Sequence, residues 1–208
     1  MPGLMDQMRQ DHQYGERTDM TDIDLAQIAR TLDEMRSREI IRETLHRYAR
    51  GIDRRDTAEV ERVFWPDSKV DFGVYKGTGS EFATMIVSWL LEGGVETTDH
   101  LLGNVLIALE GDVAESECYL HAYHRVRKAD GGAADCFIGA RYQDRFERRD
   151  DIWRIAERVL VYDWFREYPE SGNFSTGCMM GVSNSNAVIG EARPDISAAL
   201  SQALDRLA

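Results

Sequence analysis

The sequence predicts an α+β fold in which helices come first and an antiparallel sheet follows. Up to residue 92 the apolar residues recur mainly at helical spacing, with one short alternating segment at 69–75, and after Gly93-Gly94 they recur at every second position. Short turns containing Gly and Asp separate the alternating segments, which is typical of a meander of neighbouring strands. This segregation of helices and strands indicates an α+β domain rather than alternating βα units.

The chain has 208 residues, 43% of them apolar, which fits one domain with a full core and extensions at its ends. Its net charge is −12, from 25 Lys and Arg against 37 Asp and Glu. Because nucleic acids and anionic membranes attract clustered cations, neither is expected as a partner. The longest apolar run is also too short to span a bilayer.

Three cysteines, Cys118, Cys136 and Cys178, are widely spaced and form no CxxC pair. This spacing predicts reduced thiols, as in a cytoplasmic protein, and no thiolate zinc site. Residues 1–24 are polar and of mixed charge, so no secretory leader is expected.

The first part of the chain contains an arm and two predicted helices. Residues 1–21 lack periodicity and are predicted to form a flexible arm. Thr21 can cap a short helix that begins near Asp22, and Ser37 can cap a longer helix over residues 37–52. The apolar face of the longer helix is formed by Ile40, Ile41, Leu45, Tyr48, Ala49 and Ile52.

Three further elements are predicted before the sheet. Asp56 should cap a short helix that includes Phe64 and ends at Pro66, and a strand should follow over residues 69–75. A third helix over residues 80–91 should end at Gly93-Gly94. Its inward positions are Phe82, Met85, Ile86, Trp89 and Leu90.

Four strands with period-two alternation follow. They are predicted over residues 98–109, 113–128, 135–148 and 152–165. The tail, residues 166–208, is interpreted as a loop or lid and then a helix that begins at Pro194. The main domain is therefore expected over residues 22–165.

Several motifs resemble one branch of a known superfamily. YARGIDRRD at 48–56, followed by VFWPD at 63–67, is similar to the opening of the SnoaL-like branch of the nuclear transport factor 2-like superfamily. Thr98-Asp99-His100 with Asn104 is similar to its histidine strand, and residues 139–158 to its last hairpin. The resemblance covers about residues 37–165. It implies a cone-shaped α+β barrel of the cystatin-like type, with N-terminal helices packed on a curved antiparallel sheet.

The resemblance implies that Asp53 and His100 form a general base. A carboxylate that accepts from the imidazole Nδ1–H fixes the tautomer and leaves Nε2 free to take a proton. The alternative for Asp53 is a solvated acid at a helix end, although the helix dipole disfavours a carboxylate there by roughly 0.3–1 kcal/mol. The alternative for His100 is a hydrogen-bonded histidine at a strand edge.

Three further catalytic candidates come from the same resemblance. Tyr48 could donate to a substrate oxygen, or be a core aromatic with a satisfied hydroxyl. His124 alternates with Cys118, Leu120 and Ala122 on one strand face, so it should point inward, and the resemblance implies an acid for a leaving hydroxyl. Arg158 could stabilise a departing anion or substrate carboxylate, or pair with a carboxylate across the sheet.

Weaker candidates for substrate binding are Asn104, Arg141, Trp89 and Phe72. No metal is expected, because His121 and His124 are three positions apart on a strand and should point to opposite faces. No glycine-rich phosphate loop or dinucleotide motif is present, so no cofactor is expected.

Together these residues predict a cofactor-independent lyase, best interpreted as a dehydratase, that acts on a small, cyclic, largely apolar substrate with the Asp53–His100 dyad in a closed pocket. An isomerase or a polyketide-cyclase-type enzyme would use the same proton abstraction. A non-catalytic ligand-binding protein, or one like a dioxygenase small subunit, is the alternative from another class, because this fold also hosts proteins without chemistry. The resemblance also implies a homo-oligomer, dimer or trimer, because the convex face of the sheet in such proteins usually packs on a partner, and the outward Tyr119, His121 and Tyr123 add modest support.

Overall fold

The computed structural model describes residues 24–169, together with Leu200 and Gln202. The predicted arm over 1–21, the cap at Thr21 and most of the loop or lid predicted from residue 166 lie outside the described residues. Residues 166–169 are not a loop but continue the last strand. Leu200 and Gln202 are helical, within the helix predicted from Pro194. Contacts divide the chain into two units, Met1–Met35 and Arg36–Ala208, and each is described by itself.

One helix, α1 (Leu25–Arg54), replaces the two that were predicted from Asp22 and Ser37. Asp24 begins it, because its Oδ1 accepts hydrogen bonds from the backbone N–H groups of Ala26 at 3.0 Å and Gln27 at 3.1 Å. Ser37 is therefore not an N-cap but a buried residue inside the helix. The reason is that neither Gly nor Pro interrupts the chain from residue 25 to 50, so nothing ends the helix before Ser37.

The second helix, α2 (Thr57–Arg62), is capped by Asp56 as predicted. It ends earlier than predicted, and strand β1 (Phe64–Asp71) includes Phe64 and Pro66. Pro66 is tolerated there because the pairing of β1 with the last strand is interrupted between Phe64 and Lys69, so its missing N–H removes no ladder hydrogen bond.

The short strand β2 (Lys76–Gly77) leads into helix α3 (Gly79–Glu92). Thr78 and Glu81 form a capping box at its start, and Gly93 ends it. A Cβ on Gly79 would lie 2.3 Å from the Phe64 side chain, so only glycine lets α3 begin this close to β1. Trp89 is 52% exposed, which corrects its predicted inward orientation.

Four long strands complete the fold: β3 (Val95–Glu110), β4 (Val113–Arg127), β5 (Ala133–Arg149) and β6 (Ile152–Pro169). They form the predicted antiparallel meander. The sheet order is β2-β1-β6-β5-β4-β3, and β1 pairs with β6 in parallel. The α+β fold is thus confirmed, with a curved sheet that is mixed and open rather than wholly antiparallel and closed.

The core lies on the inner face of the sheet. Tyr48 of α1, Phe64 of β1, Phe82 of α3 and Tyr142 of β5 meet there, with Tyr48 and Tyr142 edge to face at 5.4 Å between ring centroids. This cluster fixes the inner surface from which the site residues project. Across the part of the chain that the structure describes, no helix is both long and apolar enough to cross a membrane.

Candidate active site

Asp53 and His100 are in direct contact. Asp53 lies in the last turn of α1 and His100 near the start of β3. The Nδ1 of His100 lies 2.6 Å from Oδ1 of Asp53, and the backbone N–H of His100 donates to Oδ2 of Asp53 at 3.1 Å. The His100 side chain is 8% exposed and that of Asp53 18%. A carboxylate oxygen at Nδ1 requires a proton there, so Nε2 is left as the basic nitrogen.

The chain reversal after α1 holds this contact in place. Arg55 has a φ of 56°, and its guanidinium donates to the backbone oxygens of Val95 at 2.6 Å and Glu96 at 3.2 Å. These bonds tie the end of α1 to the first residues of β3. Asp53 is therefore set opposite His100, whose two donors offset the cost of a carboxylate at the negative end of a helix.

Thr98 is a site residue that the sequence interpretation missed. Its side chain is buried, and Oγ1 lies 3.4 Å from Oδ1 of Asp53 and 3.4 Å from Nδ1 of His100. A signal was present in the sequence, because Thr98 is two residues before His100 and so shares its face of the strand.

His124 faces the dyad from the next strand. It is paired with Thr98 in the β3–β4 register, and its ring lies 5.4 Å from that of His100, edge to face. Its Nδ1 is buried and has no hydrogen-bond partner among the described residues. Burial lowers the pKa of His124 to about 4, and the nearby His100 acts in the same direction, while Asp53 opposes both. His121 lies on the other face of the sheet, as strand alternation predicts, and its ring is edge to face with that of Trp164 at 5.6 Å between centroids.

Arg158 and Tyr48 belong to a separate, fully buried cluster. Arg158 donates through Nε and Nη2 to the two oxygens of Asp144, each at 2.7 Å, across the β5–β6 pair. The guanidinium also lies 4.1 Å from the Tyr48 ring and 4.2 Å from the Tyr142 ring. The carboxylate partner expected as the alternative for Arg158 is thus present, and its identity, Asp144, was not foreseen.

The protonation states of this cluster follow from burial. Burial raises the pKa of Tyr48 to about 12, although the Arg158 cation opposes the rise. Burial also raises the pKa of Asp144, and Arg158 opposes this rise too. Nη1 of Arg158 is buried without a hydrogen-bond partner among the described residues. Tyr48 therefore keeps its proton throughout the physiological range.

The structure does not bring the weaker candidates to the dyad. Arg141 lies on the outer face, where it binds Asp163 at 2.9 and 3.0 Å, because the neighbouring Tyr142 takes the inward position. Asn104 is exposed, with a φ of 48°, in a β-bulge that shifts the alternation of β3. Trp89 is exposed, and Phe72 is a core residue packed on Phe82 at 4.5 Å.

The dyad lies in an open groove of about 580 Å³ between α1 and β3 rather than in the predicted closed pocket, because β3 is an edge strand of the sheet. One wall carries His46, Arg50 and Arg54 from successive turns of α1, and the other is formed by residues 97–102. Its size suits a small molecule. Within the described residues, no three His, Cys, Asp or Glu side chains converge where a metal could be held.

Residues 33–159 match the SnoaL-like domain family. The chain belongs to this family. An uncharacterized protein of Mycobacterium tuberculosis, Rv2910c, is 31% identical over 128 residues, which are 61% of this chain and 85% of that protein. The family predicted from the motifs is thereby confirmed.

Two solved structures share the fold. A hexachlorocyclohexane dehydrochlorinase, LinA Type2, has a TM-score of 0.60 and 21% identity, over 69% of this chain and 95% of its own. A scytalone dehydratase-like protein of Novosphingobium aromaticivorans has a TM-score of 0.58 and 19% identity, over 68% of this chain and 93% of its own. At such identities the likeness concerns the fold.

Proposed function

We propose that this SnoaL-like protein is a lyase of the dehydratase type, in which His100 removes a proton from carbon and Asp53 orients it. The observation that carries the proposal is the two-point contact between Asp53 and His100. One carboxylate oxygen fixes the tautomer of the ring while the other holds the backbone of the same residue. A hydrogen-bonded surface histidine would not need both.

The proposed step is an elimination from a carbon next to a carbonyl group. Nε2 of His100 takes the proton, the C–H electron pair forms the new C=C bond, and the C–O bond of the hydroxyl group breaks. Asp53 stabilises the imidazolium through its Nδ1–H. Fixed dipoles around the dyad favour such charge separation.

The leaving hydroxyl needs a proton, and His124 is a poor source of it. Because its pKa is about 4, His124 is neutral at physiological pH and is kept so by burial and by a charged His100. The imidazolium of His100 therefore returns its proton to the departing hydroxyl, and water leaves. His124 is assigned a hydrogen-bonding role, and the cycle closes on this chain's own groups without a cofactor.

Arg158 and Tyr48 are assigned positioning roles. Both are buried, and the Arg158 charge is already compensated by Asp144. Their cluster holds the inner surfaces of α1, β5 and β6 in register. Tyr48 is five residues before Asp53 on α1, so a fixed Tyr48 ring also fixes the rotation of the helix that carries the carboxylate.

The similar structures support an elimination and a cyclic substrate. One is named as a hexachlorocyclohexane dehydrochlorinase and the other as scytalone dehydratase-like, and both names denote the removal of a small group with formation of a double bond. A small cyclic ketone with a hydroxyl group at the β-carbon combines these features with the groove next to the dyad.

An isomerase is the second candidate, and the same low pKa of His124 favours it. An enzyme with one proton-transferring base can return the proton to another carbon as readily as to a leaving hydroxyl. The two reactions differ only in whether the substrate carries a leaving group at the β-carbon.

The test uses two probes and three variants. β-Hydroxycyclohexanone reports elimination and β,γ-unsaturated cyclohexenone reports isomerisation, each through the ultraviolet absorbance of the conjugated product. We expect His100→Ala to abolish turnover and Asp53→Asn to lower kcat by about 10²–10⁴-fold. His121→Ala, a histidine change on the outer face, should retain wild-type rates. Wild-type rates in His100→Ala would refute the proposed base.

A further inference from the structure

The α1 wall of the groove beside the dyad is rich in basic side chains. His46, Arg50 and Arg54 are four residues apart, so they lie on one line along the helix, and Ala49 and Asp53 complete this wall. The whole chain has more acids than bases, 37 against 25, whereas Asp53 is the single acid on this wall. A line of basic side chains in a groove favours the binding of anions.

Arg54 is the arginine of this wall that has no partner. Arg50 forms an ion pair with Glu59 of α2. Asp53, which precedes Arg54 in the chain, is already engaged by the two donors of His100. Arg54 itself is exposed, and it has neither a hydrogen-bond nor an ion-pair partner among the described residues. Its positive charge is therefore available to a molecule in the groove.

The β3 wall is apolar on the face that carries His100. Leu102 is two residues after His100, so it shares that face, and it packs against the core. Asp99 is the acid of this wall, but it precedes His100 on an alternating strand and so points to the other face. A ligand in front of His100 therefore meets the apolar surface of Ala49 and Leu102 and the positive charge of Arg54.

We propose that the substrate of this groove carries a carboxylate, which Arg54 binds while the apolar skeleton lies on Ala49 and Leu102. A guanidinium presents two parallel N–H donors that match the two oxygens of a carboxylate. Arg54 directly follows Asp53, so the bound carboxylate lies at the end of the groove that holds the base. The inference rests on the proposed lyase activity and names its substrate class, a cyclic β-hydroxy ketone that bears a carboxylate.

Isothermal titration calorimetry of the full chain tests this anchor with two probes that lack a leaving group. Cyclohexanecarboxylate and cyclohexanecarboxamide have nearly the same shape and differ in charge. We expect the wild-type protein to bind the carboxylate at least about tenfold more tightly than the carboxamide, because a charge-assisted pair forms with the carboxylate alone. Added salt should reduce this ratio. Equal affinities, or no measurable binding of the carboxylate, would overturn the proposal.

Three variants show which charge binds the carboxylate. Arg54→Gln should bring the ratio of the two affinities to about one, and Arg54→Lys should keep part of the preference, since the charge remains and the paired donors are lost. Arg36→Gln makes the same change at an exposed arginine of α1 outside the groove, which also has no partner among the described residues, and should keep the wild-type ratio. A wild-type ratio in Arg54→Gln would contradict the assignment.

The titrations need no reaction, so this proposal and the lyase activity can fail separately. If the cyclohexanone and cyclohexenone probes react and the preference for the carboxylate is absent, the activity stands and the substrate class is wrong. If the preference is present and depends on Arg54, and neither of those probes reacts, the carboxylate site stands and the proposed activity is wrong.

Discussion

Asp53 is set apart from an ordinary helix-end carboxylate by having both its oxygens engaged by one residue. Oδ1 contacts the ring of His100 and Oδ2 accepts from its backbone. Thr98 and His124 complete the surroundings, one beside the contact and the other edge to face with the ring. The sequence pointed to Asp53 and His100 because their motifs carry them. The sequence did not point to Thr98, whose only signal was its position two residues before His100, on the same face of the strand.

The two-donor contact leads to a prediction for Asp53→Asn. Asparagine offers one acceptor oxygen, so either the Nδ1–H or the backbone N–H of His100 must face its NH₂ group. We expect the ring to change to the Nε2–H tautomer in a large fraction of molecules. Nitrogen-15 NMR of labelled histidine distinguishes the two tautomers directly. An unchanged Nδ1–H tautomer in Asp53→Asn would show that Asp53 does not set the protonation of the base.

At the level of elements, strand pairing determines which residues meet across the sheet, and local sequence patterns do not specify this. The β5–β6 register places Asp144 opposite Arg158, a contact between residues 14 positions apart. The bulge near Asn104 shifts the alternation of β3, so a strict period of two misplaces this residue. The parallel pairing of β1 with β6 was also missed, because nothing within β1 specifies a partner so distant in sequence.

The Asp144–Arg158 pair should be strongly coupled. Arg158→Leu alone leaves a buried carboxylate without its cation, and we expect a loss of about 3–5 kcal/mol in the free energy of unfolding. The double variant Asp144→Leu/Arg158→Leu removes both charges and should recover a large part of this loss. Urea denaturation of the two single variants and the double variant forms the required cycle. Additive losses would mean that the two residues stabilise the fold independently.

For the molecule as a whole, the features that depend on local periodicity and on the order of the motifs could be predicted, and those that depend on long-range packing could not. The switch from helical to alternating spacing gave the α+β fold and the meander, since both depend on local periodicity. The order of the motifs gave the family and the Asp53–His100 contact. The helix break expected at Ser37 was wrong because capping propensity is weak beside an uninterrupted run of helix-forming residues. The groove and the inner cluster depend on long-range packing, which periodicity does not encode.

The acid sensitivity of the whole fold should depend on His124. Its pKa is about 4 in the folded protein against 6.5 as the ordinary value, so between these pH values the unfolded chain binds more protons than the folded one. The free energy of unfolding should therefore fall as the pH is lowered through this window, by up to about 3 kcal/mol from this residue. His124→Gln should remove that part of the slope, whereas His121→Gln on the outer face should retain it. Urea denaturation at several pH values measures each slope, and identical slopes for His124→Gln and wild type would show that His124 does not stay neutral in the folded state.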